Sequence, residues 1–243
     1  MISKALFKRD LKVSFRLWLV ISAVMALLLF ALFFATSGMN GSGAMVIQQF
    51  YTLFAALTPV FFIGTTGTKL IAAQIDNGSF SYVMSAPLKR RTVAFTQALF
   101  LIVSVAAMYV LFLAVGLISF AVWEESLTLK VFFLLTFGSF LFNLMVSGIA
   151  YFATCVFNSS GAATSVGTGL PLLFFLLHIV STFFGSNKLL SCCRYFTINS
   201  LYSPSDIIAC NSNMVLQFLT MAAIAAVLFL AGMAVFRKKD LPL

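Results

Sequence analysis

Six stretches of this chain are long and apolar enough to cross a bilayer, at about residues 17–36, 45–73, 93–122, 131–157, 162–184 and 214–236. A helix that spans the hydrocarbon needs roughly 20 apolar residues. Backbone polar groups find no water there, so such runs take the one form that bonds every group internally, the helix. Composition fixes the solvent. Of the 243 residues, 62% are hydrophobic and 9% charged, whereas a soluble domain carries about 25% charged residues. Too little polar side chain is present to cover a water-facing surface. The expected fold is an all-α polytopic membrane protein with six transmembrane helices. It forms a single domain over 1–243, with no room for a separate soluble catalytic domain. The first run is too long for the apolar core of a secretory signal, so no cleaved leader is expected.

Charge sets the orientation. The formal net charge is +9. A basic chain raises nucleic-acid binding as a reading. Here the charges are sparse and sit at the ends of apolar runs, the pattern of membrane topology, so no nucleic-acid partner is expected. One side holds Lys4, Lys8, Arg9, Lys12, Arg16, Lys69, Lys89, Arg90, Arg91, Arg237, Lys238 and Lys239. The other holds Lys130, Lys188 and Arg194. Twelve against three predicts that both termini and the segment 74–92 face the cytoplasm. Within residues 1–16, Lys4, Lys8 and Lys12 fall on one helical stripe. Ile2, Leu6 and Val13 lie to one side of it, Phe7, Leu11 and Phe15 to the other. This predicts an amphipathic helix lying at the interface, its lysine stems snorkelling.

Two spans are interrupted. The second contains Pro59, Gly64 and Gly67, with Thr58, Thr65, Thr66 and Thr68 close by; the fifth contains Gly167, Gly169 and Pro171. Proline removes a backbone hydrogen bond. Such breaks persist in a membrane only where neighbouring helices or water satisfy the freed groups. Helix packing and an aqueous path both account for this pattern.

The chemistry of the chain is sparse. No Gly-rich phosphate loop ending in Lys-Ser or Lys-Thr occurs. The acidic residues Asp10, Asp76, Glu124, Glu125, Asp206 and Asp240 are scattered over both sides. His178 has no acidic neighbour in its own span and reads as a packed or interfacial residue, so ion coupling through intramembrane carboxylates is not expected. Cys155 reads as a small buried hydrophobe. Cys192, Cys193 and Cys210 share the outer loop 185–213, where an oxidising compartment permits a disulfide from Cys210 to either neighbour and leaves one thiol over. The same loop alternates apolar and polar residues over 195–209 without reaching span length, which reads as an interfacial or re-entrant piece. Ser205 or Ser203 beside Pro204, with Asp206 following, is a helix-start signal.

The segment 74–92 is the longest polar interruption. It reads Asp76-Asn-Gly-Ser-Phe-Ser-Tyr-Val-Met-Ser-Ala-Pro-Leu-Lys-Arg-Arg from residue 76. Six spans, a basic N-terminus, this string before the third span and the closing Phe236-Arg-Lys-Lys-Asp-Leu together resemble an ABC-2 type transporter permease. Members of that family often carry an acidic-Gly-Thr/Ser segment, small apolar residues, then Ser-x-Pro and a basic pair at this place. The resemblance implies a cytoplasmic coupling helix within 74–92 that docks into a separate ABC ATPase subunit. Asp76, Gly78, Phe80, Tyr82, Val83, Met84 and Pro87 would form it. ATP and Mg would sit on that partner, with no cofactor and no enzymatic activity on this chain. It also implies a second permease subunit, alike or different, with the second and fifth spans lining the seam. Pro59, Gly64, Gly67, Gly167, Gly169 and Pro171 then become breaks at a gate. The implied function is export of a hydrophobic or amphipathic cargo (peptide, drug or lipid) across a bacterial plasma membrane. A non-transporting scaffold or immunity protein would share the layout. A membrane-embedded lipid enzyme would need catalytic polar residues gathered at one depth.

Overall fold

The computed structural model describes residues 3–36, 43–78, 90–122, 128–183, 197–209 and 213–239. Among these the regular structure is helical throughout. Six helical segments are long and apolar enough to cross a membrane: Lys4–Thr36, Met45–Asp76, Arg90–Val122, Leu129–Val156, Ser160–Ser181 and Asn213–Lys238.

The first span is α1 (Lys4–Thr36), one uninterrupted helix of 33 residues. Here the structure departs from expectation, because residues 4–16 do not form a separate interfacial helix. No Pro or Gly lies between Lys4 and Thr36 to break the ladder. The start of α1 is also fixed by packing. Leu6, Asp10 and Ser14 recur every four residues and are buried, Phe7 meets Phe100 edge-on, and the Ser3 amide donates to Thr96 Oγ1 at 3.2 Å. At about 1.5 Å per residue α1 is about 50 Å long, well beyond a hydrocarbon core of about 30 Å.

The second span is built of α2 (Gly43–Phe50), a wide π-helical turn (Tyr51–Ala55), α3 (Ala56–Leu70) and α4 (Ala72–Asp76). The third is α5 (Arg90–Val122) and the fourth α6 (Leu129–Val156). The fifth is α7 (Ser160–Thr164), a second π turn (Ser165–Gly169) and α8 (Leu170–Phe183). A 3₁₀ turn (Ile198–Leu201) and α9 (Pro204–Ile208) precede the sixth span, α10 (Asn213–Lys238).

The fourth span is the centre. Its apolar window is 61% buried within the chain, against 28% for the first span and 22% for the fifth and sixth. Glycines let neighbours approach it closely, as small residues do in membrane bundles. A Cβ on Gly148 would sit 3.1 Å from Leu228 Cβ, bringing α6 onto α10. Ala150 lies between two other spans: a Cβ on Gly67 would come within 3.2 Å of it, and one on Gly167 within 3.1 Å. Away from this seam, Met25, Leu29 and Phe33 of α1 join Phe62 and Phe112 in the larger core. A smaller core of Leu6, Ile71, Val93, Tyr151 and Phe236 closes the end where both termini lie. At the other end Tyr202 and Ile207, flanking and within α9, are buried. The Tyr202 hydroxyl donates to the Leu135 carbonyl at 3.2 Å.

This seam is open to test. Gly67→Val and Gly167→Val should each lower stability by about 1–3 kcal/mol through overpacking. A Cβ on Gly169 would meet nothing within 4 Å, so Gly169→Ala should leave the thermal midpoint in detergent unchanged or slightly raised.

Candidate functional site

The breaks in the second span are where the structure concentrates its buried polar groups. Pro59 has no N–H, so the carbonyl four residues earlier, on Ala55, loses its helical donor. That carbonyl sits at the end of the π turn, and three side chains from two other spans converge on it. Tyr109 Oη of α5 donates at 3.0 Å. Asn143 Nδ2 of α6 lies at 3.2 Å and Ser139 Oγ at 3.4 Å. The donors also join one another: Asn143 Nδ2 donates to Tyr109 Oη at 2.8 Å, and Tyr109 Oη lies 2.8 Å from Ser139 Oγ. One turn away Tyr51 Oη meets Thr136 Oγ1 at 2.8 Å. Every side chain in this group is buried. An unsatisfied carbonyl in an apolar interior costs several kcal/mol, so the group is what allows the interrupted helix to persist inside the bundle.

A second break follows at Ile71, whose φ of −127° and ψ of −62° leave the helical region. Again side chains of spans three and four complete the backbone. Gln97 Nε2 donates to the Leu70 carbonyl at 2.7 Å, and the Ala72 amide donates to Thr154 Oγ1 at 3.0 Å. The second span is therefore a jointed rod, held at each joint by α5 and α6.

Its basic end is tied to the fifth span. The Asp76 carboxylate accepts from the Ser160 amide at 3.1 Å and from the Ser160 hydroxyl, capping the first turn of α7. Farther in, Thr68 Oγ1 and Thr164 Oγ1 lie 3.1 Å apart, and a Cβ on Gly64 would collide with the Thr168 hydroxyl. The pairs Asp76/Ser160, Thr68/Thr164 and Gly64/Thr168 form an antiparallel ladder from the basic end toward the middle. Gly78, at φ +67°, ends α4 in the left-handed conformation that glycine adopts without strain.

The same end gathers other chain ends. Lys239 Nζ donates to the carbonyls of Cys155 at 3.0 Å and Phe157 at 2.8 Å, placing a cation on the C-terminus of α6, where the helix dipole favours it. Partial burial pulls that ammonium below the usual lysine range. Arg90 Nη1 donates to the Lys239 carbonyl at 3.0 Å.

Of the residues singled out from sequence, Asp76 and Gly78 end the second span, Pro59 creates the freed carbonyl, and Gly64, Gly67 and Gly167 are buried contact points between spans. Gly169 closes the second π turn and Pro171 is the second residue of α8. Cys155 is a free, buried thiol, as its setting implied. His178 is half-buried on α8. Phe80, Tyr82, Val83, Met84 and Pro87, and the cysteines Cys192, Cys193 and Cys210, lie outside the described residues. Sequence reasoning missed Gln97, Tyr109, Ser139, Asn143 and Thr154. The signal was available: two amide side chains inside apolar runs are themselves expensive, and each break in span two needs donors from elsewhere. Among the described residues no three His, Cys, Asp or Glu side chains gather as metal ligands. Compared with known proteins, the chain matches no protein-family model and no curated protein.

Asn143→Leu should destabilise the protein by about 1–2 kcal/mol, the scale of a buried hydrogen bond between membrane helices. Pro59→Ala restores a backbone donor to the Ala55 carbonyl. In that background the cost of Asn143→Leu should shrink, read as a non-zero coupling in a thermal-unfolding double-mutant cycle.

Proposed function

We propose that the chain is the permease subunit of an ATP-driven exporter of the ABC-2 type. The observation that carries the reading is the tie between Asp76 and Ser160. The segment 79–89 follows Gly78 in the sequence, and it holds Phe80, Tyr82, Val83 and Met84, the apolar anchors a partner would grip. A push on that segment acts on Asp76 and so on the ends of spans two and five together. The joints at Ala55 and Ile71 give span two places to bend, and the ladder to span five makes the pair move as one. In this reading a separate ABC ATPase binds ATP and Mg, and its closure drives the switch between inward-facing and outward-facing states. Both termini lie in the cytoplasm of a bacterial cell, on the side marked by twelve of fifteen basic residues.

A second permease subunit, alike or different, covers spans two and five. Two observations support this. The fifth window is among the least hydropathic of the six, yet only 22% of it is buried within the chain. Span two also turns an unpartnered stripe outward, with Phe54, Phe61, Thr65 and Lys69 exposed at helical spacing. The cargo fitting such a Phe- and Thr-lined seam is hydrophobic or amphipathic.

The test is purification from the native membrane, together with the product of a neighbouring ATPase reading frame. The chain alone should hydrolyse no ATP, and the complex should. Tyr82→Glu and Met84→Glu should each leave the bundle folded and abolish cargo-stimulated hydrolysis. A stable, functional assembly that never contains an ATP-binding chain overturns the proposal, and unchanged coupling in both variants removes the docking surface.

A further inference from the structure

At the basic end, α5 and α10 line a groove of about 390 Å³ whose lining includes Arg91, Phe95, Leu230, Met233, Ala234 and Arg237. The two helices run in opposite directions, and their residues sort by depth. Arg91 precedes Phe95 by one turn on α5. On α10, Leu230, Met233, Ala234 and Arg237 occupy one stripe, at spacings of three, four and seven. Both guanidinium groups therefore stand at the water-side mouth, and both helices supply apolar surface toward the bilayer. Arg90 and Lys239 pin the two helices together beside the mouth.

Arginines at this end have different employments. Arg9 pairs with Asp10 at 2.9 Å, and Arg90 donates to a backbone carbonyl. Arg91 and Arg237 are exposed, and no carboxylate lines their groove among the described residues. A topology signal needs only positive charge and gives no reason for two guanidinium groups to converge over an apolar floor. Phe95 is 43% exposed and Leu230 63%, so the floor opens sideways toward lipid.

We infer that this groove is a binding site for an anionic phospholipid of the inner leaflet, with its phosphate between Arg91 and Arg237 and an acyl chain along Phe95, Leu230 and Met233. Two cations at one mouth attract a phosphate through their charge, and basic pockets of Lys or Arg between membrane helices on the cytoplasmic side suit anionic headgroups. The site stands apart from spans two and five and holds whether or not the chain transports anything.

The experiment uses the purified full chain in detergent, with thermal unfolding and native mass spectrometry as readouts. Phosphatidylglycerol should raise the melting temperature and remain bound, and phosphatidylcholine should not. Arg91→Gln with Arg237→Gln should weaken retention by about fivefold for each arginine removed, whereas Arg91→Lys with Arg237→Lys should keep most of it. Lys4→Gln with Lys8→Gln removes the same charge from the same end and should change nothing. Met233→Trp fills the floor, keeps both arginines and should also lose the lipid. Three results would each overturn the proposal: equal loss in the lysine pair, full retention in Met233→Trp, or the same stabilisation by inorganic phosphate, which would mark a free-anion site.

Discussion

Pro59 takes one hydrogen bond away from the second span, and much of the bundle is arranged around returning it. In water the freed Ala55 carbonyl would find a solvent donor. In a bilayer it must find one in the protein, and Tyr109, Ser139 and Asn143 supply it from the third and fourth spans. This fixes the order of the helices. Spans three and four have to flank span two at Ala55, and α6 must turn its polar residues inward. That is why α6 is the most buried of the six windows. The Ile71 break repeats the arrangement one level nearer the basic end, with Gln97 and Thr154 as the completing groups. Small residues then let the remaining spans close on α6, with Ala150 held between Gly67 and Gly167.

The basic end is the second organising region. Charge alone would leave it a fringe of solvated lysines and arginines. Instead the ends of the helices are cross-linked: Ser3 to Thr96, Asp76 to Ser160, Arg90 to Lys239, and Lys239 to the end of α6. Individually such exposed or half-exposed contacts are weak. Their placement matters more than their strength, since each joins chain segments at the end where the second span stops and the third begins.

Much of the fold was legible in the sequence, because lipid leaves few options for apolar runs of this length. Six spans were readable, and their observed ends lie within a few residues of those expected for the later spans. The N-terminus was misjudged for a physical reason. The Lys4, Lys8 and Lys12 stripe speaks for an interface, but Leu6, Asp10 and Ser14 form a competing stripe that packs into the bundle, and no breaker separates it from the span. The proline and glycine breaks were legible as interruptions. Their partners were not, because periodicity does not reveal which of several neighbouring helices offers a donor. Asn143 and Gln97 could be seen as costly residues in apolar runs, but tying them to Ala55 and Leu70 required the three-dimensional arrangement.

The polar cluster at Ala55 also carries a timetable. Synthesis runs from the N-terminus, so the Ala55 carbonyl and its proline reach the membrane first, Tyr109 next, and Ser139 and Asn143 last. The acceptor is therefore in place before the span that carries Ser139 and Asn143 arrives. The second and fourth windows are less hydropathic than the first, third and sixth, though all six are apolar enough to cross a membrane. The span that lacks a backbone donor thus comes first in the chain, and the two spans that return it follow.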